Sequence, residues 1–245
     1  PAGKVGHSTI AHSTTTHETG AYQLADCPAG TWKAAAGSTK CINVAAGKVG
    51  RKVAGARSSV ADSIHETAAT VEEGCVAGSW RQASSGDSNC VVVPAGFVGR
   101  VAADANAVKN EVAAAFISPC SANYYRDAAQ STALGDCEHI AAGKQGQILA
   151  SGWVYAATGA TFEVDCIAGK YSTAGEGACA DIDAGKQGQS SDAANDSTYV
   201  ATGAAFQVDC IKGKYSANGD AACAVVPAGF VGRDSADAHA IANEA

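Results

Sequence analysis

The chain has 245 residues, a formal net charge of −7, three leucines, five phenylalanines and no methionine. Its 47% hydrophobic fraction is mostly alanine and valine. Because buried apolar surface contributes only about 25 cal/mol per Å², these small side chains do not favour a large conventional core. The acidic charge gives no basis for nucleic acid or anionic membrane as a partner. No apolar run approaches the roughly 20 residues of a membrane span.

A six-residue pattern, x-Ala-Gly-[Lys/Phe]-[Val/Gln]-Gly, indicates an internal repeat. It occurs six times, at intervals of 44, 49, 47, 42 and 44 residues, and each of these five intervals contains two cysteines. We call its two glycines the first and second pattern glycines. The predicted domains are repeats one to five (1–44, 45–93, 94–140, 141–182 and 183–226) and a partial sixth repeat, 227–245.

After the pattern, each repeat has a segment of variable sequence. Apolar spacings of seven and four predict a short amphipathic helix there in repeats two and three. In repeats four and five the segment is rich in Thr, Ser, Ala and Gly, which favours loop or strand. The helix positions are Val53, Val60 and Ile64 in repeat two, and Val101, Val108, Val112 and Phe116 in repeat three.

Short stretches just before the first cysteine of a repeat alternate apolar and polar residues. Examples are Tyr22-Gln23-Leu24, Phe162-Glu163-Val164 and Phe206-Gln207-Val208. Alternation with a period of two predicts brief, half-buried strands. The fold class is therefore expected to be mainly β.

The ten cysteines contain no Cys-x-x-Cys pair of the kind that holds zinc or exchanges electrons. Ten buried thiols are the alternative to disulfides, but regular pairing in a chain with a thin core favours disulfides and an oxidising compartment. A disulfide closing a loop of about 15 residues stabilises a small unit by roughly 3 kcal/mol. Ten cysteines allow many pairings. The spacing favours sequential ones: Cys27–Cys41, Cys75–Cys90, Cys120–Cys137, Cys166–Cys179 and Cys210–Cys223.

Three further positions recur around the cysteines. The third residue after the first cysteine is Gly30, Gly78, Asn123, Gly169 or Gly213, and Gly and Asn best tolerate the positive φ of a tight turn. Two residues later comes an aromatic that is expected to cap the disulfide or fill the gap between stacked repeats: Trp32, Trp80, Tyr125, Tyr171 and Tyr215. Three residues after the second cysteine is a β-branched residue: Val44, Val93, Ile140, Ile182 and Val226.

The run Cys27-Pro-Ala-Gly-Thr-Trp, then Gly37, Cys41 and Ala-Ala-Gly, resembles the ephrin-receptor-like cysteine-rich repeat of protist surface antigens and algal flagellar-hair proteins. The resemblance extends over the five complete repeats as a degenerate Cys-Pro-x-Gly-x-aromatic pattern. It implies disulfide-stapled β-hairpin modules strung into an elongated rod outside the cell, with no catalytic residues. Those repeats have Cys-x-x-Cys where this chain has the β-branched residue, so one bridge per repeat is exchanged for an apolar contact.

His7, His12 and His17 are candidate metal ligands on a loop. However, His17-Glu18-Thr19 recurs as His65-Glu66-Thr67, in each case ten residues before a first cysteine. A spacing of five also suits neither a helix face nor a strand face. The motif is therefore interpreted as part of the repeat, and neither a metal nor a cofactor is expected.

Other charged motifs favour turns and solvated surfaces. The Gly-Lys pairs lack the layout of a phosphate loop, and no motif of a hydrolase elbow, a zinc protease or a dinucleotide fold occurs. The chain is therefore not expected to be an enzyme. Lys48, Arg51, Lys52 and Arg57 form a basic patch that suggests a solvated face or a subunit contact.

Sugar attachment is suggested by one sequon, Asn195-Asp196-Ser197, in a polar stretch. Ser13 to Thr16 and Ser190-Ser191 are candidates for O-linked sugars, with plain solvated loop as the alternative.

Together these features favour a structural subunit of an extracellular filament or surface coat, polymerising head-to-tail with copies of itself and carrying glycans. The expected contact places residues 227–245 of one copy against the first repeat of the next. The alternative is a receptor-like or adhesive ectodomain that binds carbohydrate or protein, for which Tyr124, Tyr125 and Arg126 are the candidate cluster. A secreted enzyme is the least favoured possibility.

Overall fold

The computed structural model describes residues 1–7, 15–16, 18–21, 23–55, 59, 64–82, 89–128, 134–148, 154–190 and 199–232. In these ranges every named element is a strand, and each strand belongs to a two-stranded antiparallel hairpin. In chain order the strands are β1 Lys4–His7, β2 Gln23–Asp26, β3 Thr31–Trp32, β4 Ile42–Asn43, β5 Lys48–Arg51, β6 Val71–Gly74, β7 Ser79–Trp80, β8 Val91–Val92, β9 Phe97–Arg100, β10 Phe116–Pro119, β11 Tyr124–Tyr125, β12 Glu138–His139, β13 Lys144–Gln147, β14 Phe162–Asp165, β15 Lys170–Tyr171, β16 Ala180–Asp181, β17 Lys186–Gln189, β18 Phe206–Asp209, β19 Lys214–Tyr215 and β20 Ala224–Val225.

Each of the first five predicted repeats contains one long hairpin and one short hairpin. The long hairpin begins at the Lys or Phe of the pattern, and its second strand ends just before the first cysteine. The strands predicted from alternating sequence are present as β2, β14 and β18. In β13 and β17 the pattern lysine lies directly opposite an aspartate, Lys144 with Asp165 and Lys186 with Asp209. Such opposite-charge pairs stabilise an antiparallel ladder.

In each repeat a disulfide joins the residue that follows the long hairpin to the residue that precedes the second short strand. The five bridges are the sequential pairs that the spacing predicted, with sequence separations of 13 to 17 and Cα–Cα distances of 5.7 to 5.9 Å. Cys27 and Cys75 are completely buried among valines of the long hairpins, beside Val5 and Val49 respectively. In repeats this small, the sulfur atoms therefore form much of the core.

The turn after each first cysteine has the predicted backbone conformation. φ is +80° at Gly30, +79° at Gly78, +80° at Gly169 and +83° at Gly213. In repeat three, where Asn replaces Gly, φ of Asn123 is +68°. Glycine or asparagine therefore occurs at this position because the turn requires positive φ.

The prediction of a helix in repeat three is wrong. Residues 101–115 form bends, turns and isolated bridges, and Val101 and Val112 are 55% and 62% exposed. Backbone donors of this segment bond to the long hairpin instead of to the preceding helical turn: Glu111 N donates to Gly99 O and Ala115 N to Arg100 O. The buried side chains of this segment are alanines, Ala107, Ala114 and Ala115, so the valine spacing was misleading. Most of the corresponding segment of repeat two lies outside the described residues.

The chain divides into two compact units. The first comprises Pro1–Cys120 and Ala128–Cys137, and therefore holds repeats one and two with the long hairpin and disulfide of repeat three. The second comprises Ser121–Asp127 and Glu138–Ala245, and holds the short hairpin of repeat three with repeats four and five. Of the partial repeat, only residues 227–232 are described.

Candidate functional site

Within each compact unit, consecutive repeats meet through one recurring set of contacts, which we call the joint. Its central element is a two-residue corner that precedes the second long strand of the following repeat. The first corner residue has positive φ, and the second is an alanine that is at most 1% exposed. The corners are Ala68-Ala69, Ala113-Ala114, Gly159-Ala160 and Gly203-Ala204.

The corner is held by two main-chain hydrogen bonds to the preceding repeat. Between repeats one and two, Ala68 N donates to Cys27 O at 2.8 Å, and Lys33 N donates to Ala69 O at 3.0 Å. The joint between repeats two and three has the same distances, from Ala113 N to Cys75 O and from Arg81 N to Ala114 O. Main-chain bonds of this kind do not depend on side-chain identity.

In the second unit the same bonds join repeats four and five. Gly203 N donates to Cys166 O at 2.8 Å, and Ser172 N donates to Ala204 O at 3.0 Å. The aromatic after the first cysteine thereby forms a parallel bridge to the corner alanine, as Tyr171 does with Ala204. The expectation that the aromatic lies between repeats therefore holds for its backbone. The same bridge joins Trp32 to Ala69, Trp80 to Ala114 and Tyr125 to Ala160.

The first pattern glycine is required because the corner of the following repeat packs directly against it. A Cβ added at Gly47 would overlap the carbonyl oxygen of Ala113, and one added at Gly143 would overlap that of Gly203. Both glycines also have positive φ, +69° and +79°. Two separate constraints therefore require glycine at this position: the positive φ of its turn and the close approach of the following repeat.

A second contact joins the turn after the first cysteine to the loop of the next short hairpin. A Cβ at Gly78 would lie 2.6 Å from Leu134 Cβ, and a Cβ at Gly169 would overlap the Gly219 carbonyl oxygen. Where the turn carries Asn123, the facing residue is Gly177, and a Cβ there would overlap Asn123 Oδ1. At this contact the turn carries the larger residue, Asn123, and the facing loop carries glycine, Gly177.

The third contact uses the β-branched residue that ends a repeat. Val44, Val93, Ile140 and Ile182 are buried, and they face the second pattern glycine of the following repeat. A Cβ at Gly146 would lie 2.7 Å from Ile140 Cδ1, and one at Gly188 would lie 2.9 Å from Ile182 Cδ1. These side chains supply the apolar contact expected in place of a second bridge.

Sequence reasoning missed a buried donor that follows each aromatic. Arg81 Nη1 donates to Ala45 O at 2.9 Å, Lys33 Nζ donates to Lys4 O at 2.8 Å, and Ser172 Oγ donates to Lys144 O at 2.8 Å. Burial lowers the pKa of Arg81, while the nearby Glu72 acts in the opposite direction. Alignment on the aromatic would have shown a hydrogen-bond donor at every one of these positions: Lys33, Arg81, Arg126, Ser172 and Ser216.

Replacing Arg81 with Met should lower the free energy of unfolding by about 1–3 kcal/mol, because the hydrogen bonds that the buried Arg81 side chain donates to the carbonyls of Val44 and Ala45 are lost. Lys52→Met, at an exposed position, is the matched control and should change stability by less than about 0.5 kcal/mol. Urea unfolding followed by tryptophan fluorescence measures both. Equal losses of unfolding free energy in the two variants would show that the buried hydrogen bonds of Arg81 do not stabilise the fold.

The His-Glu motif has a structural role in repeat two. His65 Nδ1 accepts a hydrogen bond from Gly50 N at 2.9 Å, and Asn110 Oδ1 accepts one from Gly99 N at 2.7 Å at the same place in repeat three. Asn110-Glu111 is thus a further copy of the motif that the sequence analysis missed. His7 is buried with Nδ1 3.3 Å from Glu18 Oε1, whereas His12 and His17 lie outside the described residues. Among the residues that are described, no group of His, Cys, Asp and Glu could hold a metal ion.

Two of the four basic side chains of the patch are paired with glutamates. Lys48 Nζ lies 3.3 Å from Glu72 Oε2, and Arg51 Nε lies 3.6 Å from Glu66 Oε1. Lys52 is exposed, and Arg57 is outside the described residues. These pairs fit a solvated face.

The structure does not bring Tyr124, Tyr125 and Arg126 together as an exposed cluster. Arg126 is fully buried. The Tyr124 ring lies 4.0 Å from the His139 ring, centroid to centroid, and burial, followed by Glu163 and Glu138, raises the pKa of Tyr125.

Asn195, the serine and threonine at positions 13 and 14, and Ser191 all lie outside the described residues, so sugar attachment there stays a prediction. Across the ranges that are described, no helix is long and apolar enough to cross a membrane.

No family model matches the sequence, and no curated protein matches it either.

Proposed function

We propose that this chain is a structural subunit of an extracellular filament or surface coat, whose copies join head-to-tail through their repeats. The observation that carries the proposal is the joint, which recurs with the same main-chain hydrogen bonds between repeats one and two, two and three, and four and five. The five disulfides are consistent with a secreted or extracellular protein.

A joint of this kind suits a structural role because each repeat bonds to its neighbours. In such arrays stability is approximately the sum of repeat and interface contributions. The joint is also directional: the corner belongs to the following repeat, and the acceptor carbonyl of the first cysteine to the preceding one. A directional contact between copies generates a fibre unless its rotation happens to close a ring.

A receptor-like or adhesive ectodomain has less support, because the buried Arg126 cannot contribute to an exposed binding cluster. Attached glycans belong to the main proposal, with Asn195 as the candidate acceptor on a chain that passes through a eukaryotic secretory pathway.

Sedimentation velocity and negative-stain electron microscopy over a range of protein concentrations test the proposal. We expect filaments of uniform width above a critical concentration, and their loss after reduction of the disulfides with a dithiol. A protein that stays monomeric at every concentration, together with native material that lacks regular fibres, would contradict a filament subunit.

A further inference from the structure

The second pattern glycine of repeat two, Gly50, is held by the dipeptide His65-Glu66. Its amide donates to the imidazole Nδ1 at 2.9 Å, and its carbonyl accepts from the amide of the glutamate at 2.9 Å. In repeat three Asn110-Glu111 holds Gly99 through the same two bonds, at 2.7 Å to the asparagine side-chain oxygen and 2.9 Å from the glutamate amide. The same backbone amide therefore uses a histidine acceptor in one repeat and an asparagine acceptor in the next.

In repeats four and five the second pattern glycine bonds to the main chain instead. Gly146 N donates to Gly177 O at 3.0 Å, and Gly188 N donates to Ala221 O at 3.1 Å. The aligned side chain of repeat one, His17, lies outside the described residues. Among the repeats for which this bond is described, repeat two is thus the one whose glycine amide bonds to a titratable acceptor.

The acceptor role of His65 requires a neutral imidazole. A main-chain amide can only donate, so Nδ1 carries the lone pair and the ring proton is on Nε2. Protonation of the ring places a hydrogen on Nδ1, directly against the amide hydrogen of Gly50, and the bond is lost. An asparagine side chain does not titrate, so Gly99 keeps its acceptor in mild acid.

The carboxylates of β6 and of the dipeptide already have partners. Glu66 Oε1 lies 3.6 Å from Arg51 Nε, Glu72 Oε2 lies 3.3 Å from Lys48 Nζ, and Glu73 Oε1 accepts from Gly55 N. The main-chain amide of His65 donates to a neutral group, Asn89 Oδ1, at 2.7 Å. A protonated His65 therefore finds no unpaired carboxylate among these groups that would offset the lost bond.

Gly50 is also part of the joint between repeats one and two. A Cβ at Gly50 would lie 2.9 Å from the Cβ of the corner alanine, Ala69, and 3.2 Å from Val44 Cγ2 of the preceding repeat. Releasing the Gly50 amide therefore loosens the strand against which both the corner and the end of repeat one pack.

We propose that His65 makes the joint between repeats one and two acid-sensitive, whereas Asn110 keeps the joint between repeats two and three insensitive over the same pH range. The bond to Gly50 requires the imidazole without its second proton. Its contribution to stability is therefore complete above the ordinary histidine pKa of about 6.5 and is lost as the pH falls below that value. This switch lies within one chain and does not depend on assembly.

Hydrogen exchange of individual amides at about pH 7.5 and about pH 5.5, corrected for the intrinsic exchange rate at each pH, tests the proposal. At the lower pH about ten in eleven imidazoles of ordinary pKa are protonated, so an opening that exposes His65 becomes about tenfold more favourable. We expect the protection of Gly50 N and Ala68 N to fall about tenfold. That of Gly99 N and Ala113 N should change less than about twofold.

Two reciprocal variants assign the effect to one position. His65→Asn gives repeat two the residue that repeat three uses, and it should abolish the fall at the joint between repeats one and two. Asn110→His is the converse change, and it should transfer the fall to the joint between repeats two and three. The other histidines are unchanged in both variants, so the difference between variants reports these two positions.

A fall in the protection of Gly50 that persists in His65→Asn would overturn the proposal. So would a fall at Gly50 with unchanged protection of Ala68, because the effect would then be confined to the hairpin. Nitrogen NMR of the ring supplies a separate test, since a neutral His65 protonated on Nδ1 would contradict its acceptor role. If His65→Asn does not fold, Asn110→His in the otherwise unmodified chain decides: an acid-dependent fall at Gly99 supports the proposal, and its absence overturns it.

Discussion

Gly169→Asn should lower the free energy of unfolding of the second compact unit by about 3 kcal/mol, because the new side chain enters a space already filled. A Cβ at this position would overlap the carbonyl oxygen of Gly219 in the following repeat. We expect the loss to appear at the joint between repeats four and five. Hydrogen exchange of the Gly203 and Ser172 amides, which bond across that joint, measures it directly.

Gly213→Asn is the matched control. Gly213 has φ of +83°, against +80° at Gly169, and both are followed by Lys-Tyr. Among the residues that the structure describes, nothing lies within 4 Å of a Cβ at Gly213, so the cost is the backbone strain of Asn at positive φ, about 1 kcal/mol. Equal losses for the two variants would mean that φ alone, and not the neighbouring repeat, fixes glycine at Gly169.

Removing the disulfide of repeat two with Cys75→Ala and Cys90→Ala should cost about 3 kcal/mol, through the freedom that the unfolded chain regains. Cys75 is fully buried, and its carbonyl accepts the Ala113 amide of repeat three. The loss should therefore spread to the next joint. Urea unfolding followed by tryptophan fluorescence and hydrogen exchange of Ala113 N measure the two effects.

The comparison for this variant is removal of Cys210–Cys223, whose cysteines are both half-buried. We expect its effect to stay within repeat five when the protein is monomeric. Unchanged protection of Ala113 N in the Cys75→Ala, Cys90→Ala variant would show that the bridge and the joint are energetically independent.

Local signals made much of this fold predictable. Glycine, or Asn123 in its place, indicates positive φ because that conformation is set within one residue. Alternation before the first cysteine indicates a strand for a similar reason, and cysteine spacing favours sequential bridges. These features depend on neighbours along the chain.

The joint depends on neighbours from the next repeat, and it escaped sequence analysis. Ala68-Ala69 looks like ordinary alanine sequence, and only its alignment with Gly159-Ala160 and Gly203-Ala204 indicates positive φ. In repeat three, valine spacing predicted a helix, but Val101 and Val112 proved exposed, and alanines such as the second corner residue, Ala114, occupy the buried positions. Tertiary contacts thus overrode a local apolar pattern.

Because each joint is built from main-chain hydrogen bonds among small residues, an added repeat needs no new side-chain complementarity. Tandem duplication of a gene segment encoding about 45 residues, the size at which small modules depend on a disulfide, would deliver a unit that already fits both neighbours. The length of such a protein can then change during evolution by whole repeats. Repeat lengths vary from 42 to 49 residues, so the segments between the joint residues remain free to diverge.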